Sequence, residues 1–164
     1  MTTENTSKLT VTLPSDREIR MVRSFDAPRE LVFKAFTDQT MIPKWWGKGT
    51  VVDRLDFRPG GEWRYVQHAD DGNQYAFRGE FREITPPEKF TWTFEFEGMP
   101  GHILVETMSF AESNGKTTLT SLSVFDTTEE RDGMLQSGME SGAAESFDLL
   151  DEWLATLQKD AGDE

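Results

Sequence analysis

The stretch from Ile103 to Glu112 holds the one carboxylate whose setting invites chemistry. Leu104, Met108 and Phe110 share one side of an alternating strand, and Glu106 falls between them on that side. A carboxyl on an apolar wall loses hydration and is driven toward its neutral form unless a partner offsets the loss. Such a group serves as a general base or as a polar anchor for a ligand. The alternative is a bulge or a one-residue shift of the strand, which turns Glu106 to water. Ser121 and Ser123 share a face with Leu119 and Phe125. They either add hydroxyls to the same space or line a splayed sheet end.

Around this group the alternation of other strands gathers aromatics. Tyr75, Phe77, Gly79 and Phe81 share one face against Arg78, Glu80 and Arg82. Phe90, Trp92, Phe94 and Phe96 oppose Thr91, Thr93, Glu95 and Glu97, and Trp63 with Tyr65 and Gln67 forms a similar face. These rings are either plain core or the walls of an apolar pocket. Trp45 and Trp46 close the pocket mouth or pack the short helices, and an exposed Trp there marks a partner surface instead. The candidate ligand contacts on the sheet are Trp63, Tyr65, Phe77, Phe81, Trp92 and Phe94. Glu106, Met108 and Ser121 complete that set.

Other chemistries find little support. His68 and His102 are the only histidines and there is no cysteine, so a transition-metal site or a Ser-His-Asp triad is not expected. Asp70-Asp-Gly-Asn73 reads as a hairpin turn, since it lacks the length and closing Glu of an EF-hand loop. No glycine-rich phosphate loop leads from a strand into a helix, and no cofactor is implied. The net charge of −13, from 30 acidic and 17 basic residues, repels phosphate backbones and anionic lipid surfaces. Nucleic-acid and membrane partners are therefore not expected. Nor is there a membrane-spanning stretch or a signal peptide. The absence of cysteine suits a cytoplasmic setting.

These residues need elements to position them. The 164 residues fit a single domain with a core over about residues 9–157 and loose termini, the acidic tail from Asp160 included. The N-terminal part reads as one strand, Lys8 to Phe25, broken or bulged at Pro14. A helix capped by Asp26, with Pro28 in its first turn, carries Leu31, Val32, Ala35 and Phe36. A second short helix follows from about Thr40. Six strands come next, about Thr50–Phe57, Glu62–His68, Gln74–Ile84, Phe90–Phe96, Ile103–Glu112 and Thr117–Phe125, joined by turn signals into an antiparallel meander. Thr127 to Glu130 reads as a capping box. A short helix to about Gln136 and a kink near Gly138 are expected before the final long helix.

That helix carries an apolar stripe of Met139, Ala143, Phe147, Leu150, Leu154 and Leu157, while Asp148, Asp151 and Glu152 face water. Side chains are small from Gly142 to Ser146 and bulky from Phe147 onward. The small end, with Ala143 and Ser146, is expected to roof a cavity that Phe147 borders; alternatively a large aromatic from the sheet fills the gap. One helix covers so wide a meander only if the twisted sheet curls around it. The expected class is therefore α+β, a seven-stranded curved antiparallel sheet gripping a long C-terminal helix.

The segments Arg23-Ser-Phe-Asp-Ala-Pro-Arg-Glu-Leu-Val-Phe33, Trp45-Trp46-Gly47, Asp56-Phe-Arg-Pro-Gly-Gly61 and Gly79-Glu-Phe-Arg-Glu-Ile-Thr-Pro-Pro87 add a resemblance, joined by Gly138-Met-Glu-Ser-Gly142 with Glu145-Ser146. They are similar to the signature of the START-like (SRPBCC, birch-pollen-allergen, helix-grip) superfamily. More narrowly, they resemble bacterial homologues of the activator of the ninety-kilodalton heat-shock-protein ATPase. The match runs from about Leu9 to Leu157. The resemblance implies the helix-grip fold and a deep apolar pocket, but the superfamily spans lipid carriers, receptors, cyclases and co-chaperones. Three functions follow as expectations: binding of a small hydrophobic or aromatic ligand, a protein-interaction module whose partner is a chaperone or another protein, and a cyclase- or hydratase-like enzyme using Glu106. The chaperone activator carries an additional domain for which this chain is expected to have no room, which counts against full co-chaperone action.

Overall fold

The structure, a computed structural model, describes residues 9–47 and 49–162. Strands β1 (Thr10–Thr12) and β2 (Glu18–Phe25) precede helix α1 (Arg29–Thr37) and a single 3-10 turn, Ile42–Lys44. Strands β3 (Thr50–Leu55), β4 (Glu62–His68), β5 (Gln74–Thr85), β6 (Lys89–Phe96), β7 (Ile103–Ser113) and β8 (Lys116–Val124) follow without an intervening helix. Helices α2 (Thr128–Gln136) and α3 (Met139–Gly162) end the described chain. The strands form one sheet in the order β1-β2-β8-β7-β6-β5-β4-β3, antiparallel throughout.

The sheet has eight strands, not the seven expected. The interruption after Pro14 is a chain reversal rather than a bulge. The Glu18 amide donates to the Ser15 carbonyl, and β1 folds back on β2 with Val11 opposite Met21. A three-residue edge strand with its proline just outside offers little template for unwanted pairing. Helix α1 also begins differently from expectation: Pro28 is its boundary residue and Asp26 makes no cap. The Arg29 amide instead donates to Glu112 Oε1 at 2.8 Å, so a carboxylate from β7 meets the positive end of the helix. The expected second helix is only the 3-10 turn. Thr127 does cap α2, its hydroxyl accepting from the Glu130 amide at 3.0 Å. Gly138, at φ +88°, separates α2 from α3 in a conformation only glycine adopts freely. The long helix runs to Gly162, past the start of the expected acidic tail, and the other loose residues, 1–7 and 163–164, lie outside the described chain.

Helix α3 crosses the inner face of the sheet. Phe147, Leu150 and Leu154 are buried in the main core cluster with Phe25, Phe36, Trp45, Trp92 and Leu119. A smaller cluster of Ile19, Met21, Leu104 and Phe125 lies toward α2, with Met134, Leu135 and Met139 packed on it. Ala143 and Phe94 touch both clusters. None of the residues from Met139 to Ser146 is buried. The helix is thus anchored through its bulky half and seated loosely through its small half.

Candidate functional site

Glu106 lies on the inner face of the sheet, 6 % exposed. Strand β7 keeps its alternation there, with Leu104, Glu106, Met108 and Phe110 all buried, so the alternative of a shifted strand is set aside. Its register neighbours are Trp92 on β6 and Ser123 on β8. The Trp92 indole N–H donates to Oε1 at 2.8 Å, and the Ser121 hydroxyl donates to Oε2 at 2.5 Å. Burial pushes the carboxyl up from its ordinary range, opposed by hydrogen bonds from Ser121, Trp92 and Ser123. Ser121 and Ser123 are themselves buried. Leu104 belongs to the smaller cluster and Met108 to the main one, so this polar group marks the seam where the two apolar clusters meet.

One side of the seam is aromatic. Trp63 stacks on Trp92 with ring centroids 4.1 Å apart, and Phe81 also stacks on Trp92 at 5.9 Å. Trp63 also serves the backbone, because its indole N–H donates to the Thr93 carbonyl at 3.1 Å while the Thr93 hydroxyl accepts from the Glu80 amide. Between them lies Gly79, where a Cβ would sit 1.9 Å from the Thr93 oxygen. Glycine here lets β5 approach the Thr93 backbone of β6 more closely than any side chain would allow. Phe77 and Phe94 extend the wall at 5.5 Å and are half-buried, whereas Tyr75, expected on the same face, is exposed at the start of β5.

Trp45 and Trp46 take different parts. Trp45 is buried, donates from its indole to the Ala35 carbonyl and stacks on Phe147. It packs the short helical segment. Trp46, half-buried, lies over the sheet with its ring near Tyr65, Phe77, Trp92 and Phe94. The Ser146 hydroxyl donates to its carbonyl at 2.7 Å, joining the small half of α3 to this residue. The residue tied to the small half thus comes from the connection after the 3-10 turn rather than from the sheet. Tyr65, 1 % exposed, keeps its phenol O–H without a partner among the described residues, and burial pushes that phenol up. A buried phenol without a partner is uncommon in folded proteins.

Arg23 was not anticipated. It points inward from β2 between Met21 and Phe25 and is 3 % exposed. Its guanidinium donates to Asp148 Oδ1 at 2.9 Å, reaches Asp151 Oδ2 at 3.5 Å and lies over the Phe25 ring. The exposed carboxylates of α3 therefore hold that helix to β2. The alternation of Met21, Arg23 and Phe25 was the available signal. Among the described residues, no group of three or more His, Asp or Glu side chains could hold a metal ion, and no helix is long and apolar enough to cross a membrane.

A curved antiparallel sheet holding a long C-terminal helix, with short helical segments inserted after its first hairpin, is the helix-grip architecture of START-like proteins. The chain belongs to the family described as Activator of Hsp90 ATPase homolog 1-like protein, whose model matches residues 26–155. Among solved structures, protein Ms6760 from Mycobacterium smegmatis is similar at 24 % identity and a TM-score of 0.81, over 89 % of this chain and 96 % of that one. A Rhodobacter sphaeroides protein is similar at 22 % identity and a TM-score of 0.84, over 91 % of this chain and 99 % of that one. CalU16 from Micromonospora echinospora is similar at 22 % identity and a TM-score of 0.61, covering 92 % and 86 % respectively. No match to a curated protein was found.

Proposed function

We propose that this protein binds a small hydrophobic or aromatic molecule between the inner face of the sheet and the first turns of α3. The observation that carries the reading is the Trp92–Glu106–Ser121 group, set at the seam of two apolar clusters beneath a helix half with no buried residue. Binding sites for small molecules combine apolar and aromatic walls with a few placed polar groups. Here Phe94, Leu104 and Met108 supply apolar surface beside Glu106, and Trp46, Phe77 and Tyr65 stand on the flank. The missing partner of the Tyr65 phenol is a second polar contact that a ligand would satisfy. A cytoplasmic setting suits the lack of cysteine.

Titration with tryptophol, a neutral indole alcohol, tests this by NMR. Saturable one-to-one shifts are expected at the amides of Phe94, Glu106 and Ala143. Shifts absent there, or confined to the charged outer face around Arg64 and Arg78, would overturn the reading. The family's description favours a second reading, an interaction with a chaperone ATPase. Its test is whether the purified chain changes the ATPase rate of a ninety-kilodalton heat-shock protein.

A further inference from the structure

We infer that the molecule bound against Glu106 is a lipophilic amine, carried as its ammonium cation, with the aromatic or aliphatic body against the rings. The inference rests on the binding reading above and goes further by naming the group that Glu106 selects. A carboxylate accepts along about four lone-pair directions. Trp92, Ser121 and Ser123 each use one, so about one acceptor direction remains for a ligand. No ion pair joins Glu106 to a protein cation among the described residues. The buried guanidinium on this face, Arg23, is held by Asp148 and Asp151. The groups packed around Glu106 are Trp92 from β6, Ser121 and Ser123 from β8, and Leu104 and Met108 from its own strand. Helix α3 brings Ala143 to the seam, and its acidic Glu140 and Glu145 are exposed. The nearby rings of Trp46 and Phe94 are themselves attractive to a cation over their faces. The net charge of −13 draws cations toward the molecule and repels anionic ligands.

The proton balance gives the inference a signature. Burial favours neutral Glu106 in the free protein. An ammonium ion arriving beside it favours the carboxylate. The Glu106 O–H bond then breaks, its proton leaves to the buffer, and the ammonium keeps its own protons while donating to the carboxylate. Binding of the cation therefore releases a proton from each site in which Glu106 was neutral. A neutral ligand of the same shape releases none.

Calorimetry with tryptamine, tryptophol and indole-3-acetate, each repeated in buffers of different ionisation enthalpy, decides the matter. Tryptamine is expected to bind roughly tenfold or more tighter than tryptophol, as a charge-assisted hydrogen bond implies. Proton release should accompany tryptamine alone, and indole-3-acetate should not bind. Glu106→Gln should abolish both the preference and the proton release. The proton count on the unaltered protein stands even if that variant folds poorly. Tryptophol binding as well as tryptamine would overturn the amine assignment and leave the pocket reading intact. A tryptamine preference without proton release, fading at high salt, would also overturn it, since surface charge explains that pattern. If none of the three binds, the pocket reading falls and the amine assignment with it.

Discussion

Glu106 shows how a side chain's proton can be located from its neighbours. The Trp92 indole can only donate, so Oε1 must accept from it in either charge state. When the carboxyl is neutral its proton belongs on Oε2, with the Ser121 oxygen accepting. Glutamine reproduces that arrangement, with its amide oxygen toward Trp92 and its NH2 toward Ser121. Because burial raises the native carboxyl above its unfolded value, the native state holds the proton more tightly. The associated stability is complete below the unfolded value and is lost as pH climbs through the native one. Urea melts at about pH 5 and about pH 8 should therefore show Glu106→Gln gaining on the original protein at the higher pH. Glu106→Leu leaves the buried indole N–H without an acceptor and should cost about 1–3 kcal/mol. A Leu variant as stable as the Gln variant would show that the N–H finds another acceptor. The position of Glu106 was readable from strand alternation, but its partners were not. Cross-strand pairing with Trp92 and the reach of Ser121 depend on register, which no single strand encodes. Arg23 was missed for a related reason: an arginine on an alternating strand reads as solvent-facing unless the carboxylates of a distant helix are known to meet it.

At the scale of elements, alternation in β4 to β8 and the stripe on α3 carried most of the fold, because a residue on the wrong face of either would expose a ring or bury a charge. The first hairpin was harder to read. Pro14 stops a strand, but a stop is compatible with a bulge or a reversal, and only pairing with β2 distinguishes them. Trp46 depends still more on tertiary structure, since a 3-10 turn sets where its ring falls. Along α3 the two halves should respond differently to substitution. Leu150 is fully buried in the main cluster, and Leu150→Ala should cost about 2–5 kcal/mol in a urea or thermal melt. Ala143 is half-buried and touches both clusters at the seam. Ala143→Phe should be near-neutral in stability while weakening tryptophol binding. Close packing at that position would instead cost about 1–3 kcal/mol, and the same melt would reveal it.

For the molecule as a whole, the unequal seating of α3 separates two free energies that are usually joined. The buried half, Phe147 to Leu154, shares the fate of the entire core. The preceding turns, Met139 to Ser146, follow a left-handed glycine and have no buried residue, so they can unwind while the rest stays folded. Amides of residues 142–146 should exchange with deuterium through local opening, and those of residues 150–154 only through global unfolding. Equal protection along the helix would show a single cooperative unit. With two units, the residence time of a molecule beneath the first turns is set by the local opening rather than by the melting temperature. Leu150→Ala would then lower the melting point and leave the escape rate of the ligand almost unchanged.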